Sequence, residues 1–162
     1  GVQWGMASDG QRLYAAVSDV VRPPAGGPAA VGNARLDPVQ GGGLTALTLD
    51  DGDKVWYAAG RPCDPPRPGC SPAQPGALTA IPGIVLSGAM DGHLRAFSTA
   101  DGRVVWDVDT ARPFATVNGV KAYGGSLDGA GAIVSNGMVF INSGYPRFGG
   151  MPGNVLLAFG IE

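Results

Sequence analysis

Apolar residues along this chain come in short runs broken by Gly, Pro and Asp, and no window shows the 3.6-residue period of an amphipathic helix. Residues 43–49 form one such run, turn at Asp51-Gly52 and resume in a second run ending at Trp56. Residues 92–98 do the same, turning at Asp101-Gly102 and ending at Trp106. Each is a β-hairpin signature, because Gly takes the positive φ that a tight turn demands. The two copies share one register: Ala46 and Ala96, Asp51 and Asp101, Gly52 and Gly102, and Trp56 and Trp106 are each 50 positions apart. A period of this size belongs to one propeller blade. Residues 153–159 repeat the first half of the motif a third time, and the sequence reaches Glu162 before a second half.

Ahead of the hairpins, residues 11–18, 83–89 and 137–143 are further strands in matching places, each after a turn containing Gly or Pro. The repeating unit is therefore four short antiparallel strands. The predicted fold class is all-β, a partial β-propeller of about three four-stranded blades, with units at about 1–60, 76–110 and 124–162. An immunoglobulin-type sandwich does not repeat one eleven-residue motif at fixed spacing. Two stretches interrupt the units: a Pro- and Gly-rich insertion at 21–42, expected to shape access to one face, and a Cys/Pro-rich loop at 61–75.

Composition narrows this picture. Gly (28) and Pro (14) make up about a quarter of the chain, yet 44% of residues are hydrophobic and only 15% charged, which favours a packed core over disorder. A net charge of −2 without a Lys/Arg cluster argues against nucleic acid as partner, and no apolar run approaches the roughly 20 residues of a membrane span. The two cysteines, Cys63 and Cys70, share a loop whose prolines exclude helix. Zinc spacings would need a second Cys/His pair, and His93 is the sole histidine. A disulfide is the favoured reading, with two free thiols as the alternative; a bridge points to a periplasmic or secreted protein.

Ala46, Gly52 and Trp56, and again Ala96, Gly102 and Trp106, resemble the tryptophan-docking motif of quinoprotein propellers, in which Ala, Asp, Thr-Gly and Trp recur over eleven positions. Thr48 and Ser98 stand where that family has Asp, and Asp51 and Asp101 where it has Thr, so the side-chain hydrogen bonding should change while turn and ring are kept. Residues 81–96, 114–120 and 142–154 are similar to the C-terminal blades of polyvinyl-alcohol-dehydrogenase-like quinoproteins. The resemblance implies the C-terminal part of an eight-bladed ring that carries pyrroloquinoline quinone (PQQ) and Ca2+, oxidises an alcohol or polyol substrate, and in some relatives passes electrons to a cytochrome c. It also implies that the remaining propeller blades hold the Ca2+ ligands and the catalytic carboxylate, so no catalytic or metal residue is assigned in this chain. A non-catalytic propeller scaffold of the outer-membrane assembly type is the alternative reading of the same repeats.

Trp56 and Trp106 are expected to be mostly buried, each packed against the next unit. Trp4 has no docking motif before it and is expected on an innermost strand facing the funnel. There the resemblance offers it for stacking on the quinone plane, against core packing as the alternative. Asn142, expected at the end of the third unit's inner strand, is a candidate hydrogen-bond partner for a quinone carbonyl. His93 follows Asp91-Gly92 and is expected at a surface hairpin, and Asp19 in a solvated loop. No nucleophile elbow or phosphate-cradling glycine motif is present in the sequence.

Overall fold

The computed structural model describes residues 1–20, 36–144 and 149–160. Its strands run in antiparallel meanders, and no α-helix occurs among the described residues. The first sheet is β1 (Ala7–Ser8), β2 (Arg12–Ala16), β3 (Gly43–Thr48) and β4 (Lys54–Ala59), in that order. The second is β5 (Thr79–Ile81), β6 (Ile84–Gly88), β7 (His93–Ser98) and β8 (Val104–Asp109). A two-stranded ribbon, β9 (Pro113–Phe114) with β10 (Ala122–Tyr123), follows. The third sheet is β11 (Ile133–Ser135), β12 (Met138–Ser143) and β13 (Val155–Phe159). The sheets are successive blades of a partial β-propeller. Most of the insertion at 21–42, residues 21–35, lies outside the described residues.

The sequence repeat is a repeat of backbone geometry. Ala46 pairs with Trp56 and Ala96 with Trp106, and in both hairpins the register shifts at the very next pair, a bulge that increases local twist. The turns also match. The Thr48 hydroxyl donates to the Asp51 carboxylate and accepts from the backbone N–H of Asp53 (2.9 Å), while Arg103 N–H donates to Asp101 Oδ1 (3.1 Å). The Thr48 hydroxyl holds the Asp51 carboxyl below its ordinary range, and the Ser98 hydroxyl does the same for Asp101. In both turns the hydroxyl three residues before the Asp bonds its carboxylate.

Between the first two sheets, the docking contact is made by Trp56. Its ring is 9% exposed and its Nε1–H donates 2.9 Å to the carbonyl of Thr99, at the turn of the second sheet. Arg12 Nη1 donates to the same carbonyl at 2.5 Å, so two donors from one blade converge on one acceptor of the next. The indole lies on Gly102, whose φ is +72°; a Cβ there would fall 2.6 Å from Trp56 Cε3. Gly thus serves both the turn and the close approach. Beneath the ring lie Tyr14, Leu44, Ala46, Val85 and Phe97, with the Tyr14 ring centroid 5.8 Å from that of Trp56.

Trp106 departs from the expectation of burial. It is 37% exposed and meets the third sheet only by an edge-on contact with Phe159, centroids 5.2 Å apart and planes at 80°. The third sheet has three strands among the described residues, and Trp106 meets its last strand, β13, through Phe159.

Cys63 and Cys70 form a disulfide. The bridge is buried against Ala111 and Met151, and Arg67 donates from Nη1 to the Ala111 carbonyl at 3.1 Å. The Cys/Pro-rich loop therefore does more than clip itself; it packs on Ala111, just after β8, and on Met151, between β12 and β13.

Two outcomes follow from this packing. Trp56→Ala should lower unfolding free energy by about 3–5 kcal/mol, and Gly102→Ala should also destabilise through the clash with the indole; denaturant unfolding that finds Gly102→Ala neutral would contradict the docking geometry. Alkylation without reductant should leave Cys63 and Cys70 unlabelled, and removing the bridge should cost roughly 2–3 kcal/mol.

Candidate functional site

The innermost strands β1, β5 and β11 are short, and the segments leading into them run side by side. Leu78 N–H donates to the Gly5 carbonyl (3.0 Å) and Ala77 N–H to the Gly129 carbonyl (2.9 Å), so the three leads are joined by backbone hydrogen bonds across blades. At one point the approach leaves no room for a side chain: a Cβ on Gly131 would lie 2.1 Å from the Ala77 carbonyl oxygen. Where the leads converge they enclose a cavity of about 310 Å3, bounded by Trp4, Gly76, Gly88, Leu127, Asp128 and Asn142 among others.

Trp4 is not on a strand. It lies ahead of β1 because the Gly5 carbonyl bonds to Leu78 of the next blade instead of to β2. Its indole is 37% exposed, lines the cavity, and donates from Nε1 to Asp128 Oδ1 at 2.9 Å. Asn142 is likewise not on an innermost strand, since β12 lies between β11 and β13. It still reaches the cavity, because β11 pairs only with Met138, Val139 and Phe140 and leaves the last residues of β12 uncovered on the inner side. The structure thus brings Trp4 and Asn142, chosen separately in the sequence, to one cavity. Asp128 was missed. Its partner is 124 residues away, so no local pattern could have singled it out.

His93 is not at a surface turn. It opens β7, half-buried, with Nδ1 2.6 Å from Asp107 Oδ1 on the facing strand β8. Asp107 also receives Arg95 Nε (3.2 Å) and Arg61 Nη1 (3.1 Å), while Arg95 Nη2 donates to Asp91 at 2.6 Å with both side chains 5% exposed. Burial works to raise the Asp107 carboxyl, but the His93 hydrogen bond and the Arg95 charge outweigh it and hold the group below its ordinary range. This network joins β7 to β8 and contributes no residue to the cavity. Asp19 is exposed, as expected of a loop residue. Among the described residues, no group of three or more His, Cys, Asp or Glu side chains is placed to hold a metal ion, and no helix is long and apolar enough to cross a membrane.

No family model matches the chain. In a 173-residue alignment spanning all of it, the chain is 42% identical to a polyvinylalcohol dehydrogenase of Pseudomonas sp. The chain resembles polyvinylalcohol dehydrogenases over its full length. A second such enzyme, from Sphingopyxis sp. (strain 113P3), is 36% identical, again over the whole chain. The chain spans about a quarter (25%) of the length of either relative. Among solved structures, BamB from Moraxella catarrhalis aligns with 70% of this chain and 32% of its own at 18% identity and a TM-score of 0.44. The computationally designed Ika4 protein aligns with 98% of this chain and 90% of its own at 13% identity and a TM-score of 0.47.

The ionic network gives a signed pH dependence. A carboxyl held low in the folded state contributes stability that is present above the unfolded value of about 4 and is lost as pH falls through the folded one. Asp107→Asn should therefore destabilise at neutral pH, and its difference from the parent sequence should shrink below about pH 4; a difference that stays constant down to about pH 2 would show that Asp107 acts through packing alone.

Proposed function

We propose that this chain is a portion of a quinone-dependent dehydrogenase that oxidises alcohols of the polyvinyl-alcohol type. The observation that carries the reading is the full-length similarity to two polyvinylalcohol dehydrogenases. The cavity between the innermost strands supports it chemically. It offers one flat aromatic wall, the Trp4 indole, and the Asn142 amide. Its volume of about 310 Å3 matches the lower end of small-molecule sites.

These residues fit a quinone ring and nothing more of the cofactor. PQQ carries carboxylates, and among the described residues no Lys or Arg lines the cavity and no set of Ca2+ ligands is assembled. Cationic partners and metal ligands would come from other blades of the ring. When bound, the quinone would accept the two electrons removed from the alcohol carbon. The part played here is binding and orientation: Trp4 would take one face of the ring, the Asn142 amide N–H would donate to a carbonyl oxygen, and the close-packed leads would keep water from that face. The disulfide is consistent with an oxidising compartment such as the periplasm. Cytochrome c as electron acceptor is part of the same proposal.

Absorbance and mass spectrometry of the whole protein, purified from a quinone-producing host, test the proposal directly. Bound quinone and dye-linked oxidation of a polyol are expected; a protein with neither is a scaffold instead. Trp4→Ala should weaken quinone binding about tenfold, and Asn142→Ala by somewhat less, from the worth of an aromatic contact and of one hydrogen bond. Unchanged quinone affinity in both variants would place the cofactor elsewhere.

A further inference from the structure

Among the described residues, Asp128 is the one ionisable side chain in the wall of the cavity. It stands in the lead to β11, between Leu127, whose N–H bonds the Ala89 carbonyl (3.1 Å), and Gly129, whose carbonyl accepts from Ala77 (2.9 Å). Its backbone is therefore tied on both sides to the second sheet. From that fixed base the carboxylate reaches the first sheet's lead, accepting the Trp4 Nε1–H at 2.9 Å. One side chain of the third blade thus holds an indole of the first across the convergence of all three. Its other oxygen, Oδ2, is buried with no partner among the described residues. The residue as a whole is half-buried, so this oxygen alone is shut off from solvent.

We infer that Asp128 is the positioning residue of this cavity: its carboxylate fixes the plane of the Trp4 indole, and the flat wall offered to a planar ligand depends on it. Trp4 precedes any strand and is 37% exposed, and its indole N–H is directed at the Asp128 carboxylate. A charge-assisted N–H···O bond orients a ring with a direction, which packing alone lacks. Asp128 need not touch the ligand; it acts through Trp4. The inference rests on the reading of the cavity as a quinone site, and its test separates the two.

The experiment uses the whole protein in four variants: Asp128→Ala, Asp128→Asn, Trp4→Phe and the double variant Asp128→Ala with Trp4→Phe. Phe keeps an aromatic face and loses the donor; Asn keeps an acceptor oxygen and loses the charge. One readout is the dissociation constant of PQQ titrated into quinone-free protein. The other is the 15N-indole resonance of Trp4 in ligand-free protein, identified as the signal lost in Trp4→Phe. Asp128→Ala should weaken quinone binding about tenfold and shift the Trp4 resonance, while Asp128→Asn should stay within about threefold of the parent. In the Trp4→Phe background the effect of Asp128→Ala should fall below about twofold, because the two residues act as one unit. A full tenfold effect persisting in that background, or an unmoved indole resonance in Asp128→Ala, would overturn the inference. If the parent protein binds no quinone, the quinone reading fails, and the indole resonance alone then decides whether Asp128 positions Trp4.

Discussion

The contact on which the rest of this structure depends is the seat of an outer-strand indole on the glycine turn of the next sheet. Trp56 lies on Gly102 with its Nε1–H on the Thr99 carbonyl, so both a surface and a directed bond determine how the second sheet stands against the first. Dispersion alone would allow the sheets to slide. The hydrogen bond selects one seat, and Arg12 on the same carbonyl reinforces it. Because each sheet is a narrow meander, setting the outer edges also sets the angle at which the inner edges meet.

At the inner edges the constraint reverses, from filling space with a large ring to removing side chains altogether. Backbone bonds between leads, Leu78 to Gly5 and Ala77 to Gly129, require approaches that a Cβ at Gly131 would block. Gly131 answers to that convergence, whereas Gly10, Gly83 and Gly137 take positive φ with open space around them. The leads bound a common space, and the larger side chains there, Trp4, Leu127, Asp128, Ile141 and Asn142, become its walls. The polar cluster of His93, Asp107, Arg95 and Asp91 belongs to a different task. It lies on the β7–β8 pair, where opposed charges on facing strands hold the hairpin.

Much of the blade was legible in the chain, for local reasons. Strand runs, Asp-Gly turns and the spacing of Ala and Trp are set by neighbours within about a dozen positions, and the hairpins pair as the repeat implies, Ala46 with Trp56 and Ala96 with Trp106. The disulfide was legible because Pro-rich sequence holds Cys63 and Cys70 in one short loop. The ribbon of β9 and β10 was not, since two-residue strands leave no periodic trace. The unequal burial of Trp56 and Trp106 was also hidden: the two residues share a motif, yet one ring is seated on Gly102 and the other meets Phe159 edge-on.

What the sequence by itself determined is therefore the unit: four short strands, a glycine turn, and an indole with a place to dock. Only the tertiary structure decided which side chains meet at the centre. Trp4, Asp128 and Asn142 belong to different leads and strands, and the Trp4–Asp128 bond spans 124 residues. The resemblance offered Trp4 and Asn142 for one ligand, but their meeting with Asp128 depends on the angle between sheets, which arises from summed docking contacts and leaves no local mark on Asp128.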